Sequence, residues 1–126
     1  MPGLFQTENY ARAVTRLGHQ TAPEQEVERR VGLRLKRQDL LARPRPPTVW
    51  AVVDEAVLRR PIGGAAAMRA QLRRLTEVAG LPHVTLQVVP FARGGHAAES
   101  GSFSILRFEE PDLPDVVYIE QLTRKI

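Results

Sequence analysis

The chain has no cysteine. That excludes disulfide frameworks, thiolate metal sites and cysteine nucleophiles. It has no apolar run long enough to span a bilayer, and the opening MPGLFQTENYAR lacks the basic and apolar regions of a secretory signal. A cytoplasmic location away from membranes is therefore expected. Lysine is almost missing, with only Lys36 and Lys125. Aromatic residues are 6% of the chain, and no stacking platform for RNA bases is visible. The nucleotide motifs GxGxxG and GxxxxGK(S/T) and the nucleophile elbow GxSxG are absent. His19, His83 and His96 have no ligand partners at metal spacing. Neither a metal nor a cofactor is expected.

What remains is 126 residues with 43% hydrophobic content, enough for one domain with a small core. The net charge is +4 and the pI about 10.3, which invites a nucleic acid as partner. Nearly all the cations are arginine, however, and a composition rich in arginine, alanine and valine also follows from high-GC coding. The charge is uneven: residues 29–45 are basic and residues 109–120 acidic. Such a dipole suits protein docking as well as it suits DNA.

Thr7 is placed to cap a helix over residues 8–17 with Tyr10, Val14 and Leu17 on one face and Gly18 as a left-handed end. Thr21 and Glu24 read as a capping box opening a second helix that runs to about Leu41, with Val27, Val31 and Leu35 as its stripe. Its acids come early and its bases late, as the helix dipole prefers, so a solvated face accounts for most of the basic run. Pro44, Pro46 and Pro47 make a stiff linker. Residues 48–53 read as a buried strand, 65–79 as a helix buried through Met68, Leu72, Leu75 and either Val78 or Ala79, and 84–89 as a second strand. Strand, helix and strand at this length imply a parallel β-α-β crossover. Residues 103–108 and 116–119 read as two further strands. The expected class is α/β: a helical part (1–43) and an α/β part (48–126) with a small mixed sheet, in one domain over 1–126. Both ends look cut, as though the chain were part of a longer protein, and an unpaired last strand would suit a homodimer.

The stretch VWAVVDEAVLRRPIGG raises the functional question. Asp54 and Glu55 are adjacent, so on a strand they would point to opposite faces and not share a site. One is expected to bond to backbone or to an arginine. Arg59 and Arg60 could add charge beside the turn at Pro61, Gly63 and Gly64. Arg93, Gly94, Gly95 and His96 follow the second parallel strand, where open α/β sheets take ligands; Ser100 and Ser102 are close in sequence.

Pro2-Gly3-Leu4-Phe5-Gln6-Thr7-Glu8-Asn9-Tyr10-Ala11-Arg12-Ala13 resembles the PGLLQTxxYARA signature of the C-terminal domain of actinobacterial XRE-type helix-turn-helix regulators, the WhiJ-like, antitoxin-like group. Val52 to Gly64 resembles that group's DEAxLRRPVGG turn, and residues 28–38, 71–75, 84–91, 95–96 and 116–120 follow in family order. The resemblance implies a regulatory domain of unknown function that senses or docks something. Its DNA binding would lie in a separate helix-turn-helix domain, carried by no residue of this chain. The order of elements is also similar to half of a phospholipase D. There the HxK motif would need a lysine two residues after His96, where Ala98 stands, so any such site would be degenerate.

The expectation is a non-enzymatic regulatory domain that binds a small partner protein or an anionic ligand through Glu55, Arg59, Arg60, Gly63, Gly64, Arg93 and His96. Its alternative is a phosphodiesterase-like or small-anion enzyme using His96 with Arg93. Direct DNA binding by the arginine-rich helix is a third reading, and would show as affinity falling steeply with salt.

Overall fold

The computed structural model describes residues 1–96 and 101–119. It forms two compact units, Met1–Phe91 and Ala92–Ile126. The expectations placed on Ala98, Ser100 and residues 120–126 lie outside the described residues.

In the first unit a 3-10 turn at Gly3–Phe5 leads into helix α1, Glu8–Gly18. Thr7 caps it, its Oγ1 accepting the Tyr10 N–H at 3.4 Å. Gly18 is not left-handed. The His19 N–H instead closes the last turn on the Arg16 carbonyl at 3.3 Å, a tight bond that needs no positive φ. The buried face runs through Tyr10, Ala11 and Thr15, while Leu17 is 62% exposed. Ala11 sets that face: its small side chain packs with Val27 and Val31 of the next helix.

Helix α2 spans Glu24–Arg37. The capping box does not form. Pro23 is the N-cap, and its carbonyl takes the N–H groups of Glu26 and Val27 at 3.0 and 3.2 Å. A turn bond from Ala22 N–H to His19 carbonyl holds the preceding residues, Thr21 among them, outside the helix. Val27 and Val31 are buried with Leu35 against them, as expected. At Gln38 the helix tightens into a 3-10 segment, Gln38–Ala42, that buries Leu41.

Strands β1 (Val49–Asp54) and β2 (Val84–Val89) pair in parallel, in register from Val49↔Val84 to Asp54↔Val89. Between them lie a short helix α3, Glu55–Arg59, which the sequence pattern did not reveal, and α4, Gly64–Ala79. β1 is buried on one face only: Ala51 and Val53 point inward, whereas Trp50 is 71% exposed. α4 buries Met68, Leu75 and Val78 as expected, but Gln71 takes the place given to Leu72, which is exposed. The core gathers Phe5, Leu41, Ala51, Leu75, Val78 and Val84.

In the second unit β3 (Phe103–Leu106) runs antiparallel to β4 (Val116–Ile119), from Phe103↔Ile119 to Leu106↔Val116. Arg107 and Asp115 pair at 2.7 Å just beyond the ladder. The class is mixed α/β with the helices N-terminal, as expected. Among the described residues the four strands form two separate two-stranded sheets, one parallel and one antiparallel, rather than one mixed sheet. The parallel pair needs its helical crossover, whereas an antiparallel pair can close locally.

Candidate functional site

The end of β1 is organised by its two acids, engaged separately. Asp54 caps α3, its Oδ1 accepting the Ala56 N–H at 2.7 Å. Glu55 uses both carboxylate oxygens: Oε1 accepts from Arg59 Nε at 2.6 Å, and Oε2 accepts the Phe91 N–H at 2.7 Å. The Arg59 guanidinium also lies 5.9 Å from the centre of the Phe91 ring, within cation–π range. The Phe91 N–H first, and the Arg59 guanidinium second, hold the Glu55 carboxyl below the usual carboxylate range. Glu55, Arg59 and Phe91 thus bind one another beyond the carboxyl ends of both strands, and Arg59 is already occupied.

Arg60 differs. Its backbone N–H closes α3 on the Ala56 carbonyl at 3.0 Å, but its exposed guanidinium makes no hydrogen bond or ion pair among the described residues. It borders a cleft of about 400 Å³ within the first unit. Val14, Ala56, Val57 and Ile62 supply apolar wall, and Gln6, Tyr10 and Asp54 supply polar groups. Tyr10 is only 2% exposed. Its hydroxyl has no hydrogen-bond partner among the described residues, and burial pushes its pKa up.

Gly63 and Gly64 turn the chain from α3 into α4. Gly63 is the N-cap with φ +78°, and a Cβ there would sit 3.1 Å from the Cβ atoms of both Ala13 and Ala67. Only glycine allows α1 to approach so closely at that backbone angle. Gly64 has φ +88° but faces open space, and its N–H is taken by the Pro61 carbonyl at 3.1 Å.

Sequence reasoning missed three glutamines that hold the N-terminal strap. Gln71, wholly buried, accepts the Thr7 N–H and donates to the Phe5 carbonyl, both at 2.7 Å. Gln38 donates to the carbonyls of Gly3 and Gln6 at 3.1 and 2.6 Å. Gln6 donates to the Met1 carbonyl at 2.8 Å and accepts from Arg34 Nη1 at 2.9 Å. The available signal was Gln71 lying between Met68 and Leu75 on an apolar stripe. A buried amide needs polar partners, and nothing in the pattern said which.

Two arginines of the basic helix share one acid. Glu26 accepts from Arg29 and Arg30 at 2.8 and 2.7 Å, Arg29 chiefly drawing its pKa down to about 2. Arg12 grips Glu8 and Glu28, each at 2.6 Å, tying α1 to α2. Arg16 pairs with Glu24.

Arg93 and His96 belong to the second unit, whereas Glu55, Arg59, Arg60, Gly63 and Gly64 all belong to the first. His19 lies with its Nδ1 3.3 Å from the Thr15 carbonyl, and the His83 Nε2 is buried without a hydrogen-bond partner. Among the described residues no three His, Cys, Asp or Glu side chains group to hold a metal ion. No described helix is long and apolar enough to cross a membrane.

A family model described as "Domain of unknown function (DUF5753)" matches residues 1–126. No curated protein and no solved structure gives a significant match, so the phospholipase D analogy gains no structural counterpart.

Proposed function

We propose, from the premise that the chain belongs to the DUF5753 family, that it is a non-enzymatic regulatory module. In this reading it is the effector domain of an antitoxin-like helix-turn-helix regulator of the actinobacterial type that its sequence resembles. It works in the cytoplasm and meets DNA through a separate domain. It answers to a small partner protein or an anionic ligand.

The observation that carries this reading is the cleft at Arg60. It offers a guanidinium unpaired among the described residues beside apolar walls, which is the make-up of a binding site. Its polar side chains are Gln6, Tyr10, Asp54 and Arg60. Gln6 both borders the cleft and holds Arg34 of α2. An occupant would therefore press on the strap and on the helix that clamps it.

The test is native mass spectrometry of the chain purified from an actinobacterial lysate at low salt, beside Arg60→Ala. A bound species is expected with the parent chain and lost with the variant, at an unchanged charge-state distribution. Equal retention by both would sink the assignment. So would turnover of a phosphodiester such as bis(4-nitrophenyl) phosphate that disappears in His96→Ala.

A further inference from the structure

We propose, resting on the ligand-sensing reading above, that the cleft beside Arg60 is a binding site for a small organic monoanion: a carboxylate carried on an apolar body. Two polar groups at the cleft are left without partners by the fold. One is the Arg60 guanidinium, next to an Arg59 already held by Glu55. A free guanidinium fork matches the two oxygens of a planar carboxylate. The other is the Tyr10 hydroxyl, on a residue 98% buried by its 2% exposure. No described residue bonds the hydroxyl, and it is not one of the buried unpartnered atoms, so solvent reaches it where Tyr10 lines the cleft. Burial keeps it protonated, so it presents a donor.

Gln6 adds to the same sign. Its side-chain oxygen is taken by Arg34, and one of its two amide hydrogens goes to the Met1 carbonyl. What it has left to give is an N–H.

Arg60 and Asp54 stand in the lining beside Met1, and the single guanidinium fork suits one planar anion better than a phosphate dianion. A nucleotide is disfavoured further. Gly63 and Gly64 are not part of the lining, and the first N–H of α4 is spent on Pro61. The apolar share of the ligand follows from Val14, Ala56, Val57 and Ile62. The volume of about 400 Å³ stands near the lower end of the roughly 300–1,000 Å³ of small-molecule pockets.

The experiment is an NMR chemical-shift titration of the whole chain at low ionic strength. The probes are butyrate, octanoate and 4-phenylbutyrate, with 4-phenylbutyramide as neutral match and inorganic phosphate as dianion. Saturable shifts are expected at Tyr10, Val14, Val57 and Ile62. Affinity is expected to rise from butyrate to the longer acids and to fall about tenfold or more for the amide. Arg60→Ala loses a similar factor and Tyr10→Phe a smaller one, each with an unchanged amide spectrum in the free state. Neither side chain makes a polar contact that the fold depends on.

Equal binding of acid and amide, unchanged affinity in Arg60→Ala, or no saturable binding by any of the acids would overturn the proposal. Phosphate binding more tightly than the acids would overturn the ligand class and leave a sensing cleft. A partner protein lost with Arg60→Ala, with no acid bound, would overturn the small-molecule site and leave the regulatory reading. No occupant of either kind would remove both.

Discussion

The side-chain oxygen of Gln71 accepts the backbone N–H of Thr7 at 2.7 Å. The other end of the same amide donates to the Phe5 carbonyl at 2.7 Å. One buried side chain thus satisfies two backbone groups between the 3-10 turn at Gly3–Phe5 and α1, and Phe5 sits in the core. Gln71→Ala leaves both groups without a partner and opens space where an amide was packed. The expected cost is about 2–4 kcal/mol, read from urea unfolding. Gln71→Glu keeps the acceptor but loses the donor and buries a charge, so it should not rescue. Full stability in either variant would show that the strap is not held by this residue.

Gly63 and Gly64 separate two causes that usually travel together. Both have positive φ, but only Gly63 would bring a Cβ against α1 and α4. Gly64→Ala should cost about 1–2 kcal/mol from the backbone angle alone. Gly63→Ala should cost clearly more, since Ala13 and Ala67 must also give way. Thermal denaturation of the two variants side by side gives the order, and a reversed order would contradict the close helix approach.

The Glu26 carboxyl titrates at about 2 when folded, against 4.5 ordinarily. A depressed folded pKa contributes stability that is whole above about 4.5 and lost as pH falls toward 2. Glu28, lowered chiefly by its bond to Arg12, acts in the same direction. Stability should therefore fall on acidification through this window, and Glu26→Gln should flatten part of the slope. Glu26 is half-buried and its arginine partners are exposed, so salt should shrink the difference. A slope identical in parent and variant at low salt would show that the α2 ion pairs carry none of it.

The Phe91 amide reports on Glu55. Its N–H is bonded to Oε2 at 2.7 Å, so Glu55→Ala should speed its hydrogen exchange. Glu55→Gln, which keeps an acceptor oxygen but breaks the charge pairing with Arg59, should restore protection in part. Exchange at Phe91 that ignores both substitutions would remove Glu55 from its tie to the end of β2.

Periodicity located most elements because burial on one side writes a pattern along the chain. The span of β2, the body of α4 and the valines of α2 were all legible in this way, as was the parallel β1–β2 pairing from the length of its crossover. Errors came where a partner rather than a pattern decides. Leu17 and Leu72 stand where a hydrophobic stripe would bury them, yet the packing turns Thr15 and Gln71 inward. Thr21 and Glu24 have capping-box spacing, but Pro23 becomes the cap. Trp50 belongs to a strand with a single covered face. For the site, Arg59 and Arg60 read alike in sequence. Which of them is free depends on an (i, i+4) acid and on the ring of Phe91 across the sheet.

The sequence by itself determined the mixed α/β class, the exclusion of thiol chemistry, and a turn that needs glycine and carries arginine. Those properties are local: residue type, spacing and backbone angle are enough to set them. The tertiary structure decided that Gln6, Gln38 and Gln71 clamp the strap, that Arg60 rather than Arg59 faces a cleft, and that Tyr10 borders it. Those depend on contacts between residues far apart in the chain, where hydrogen bonding and close packing outweigh local preference.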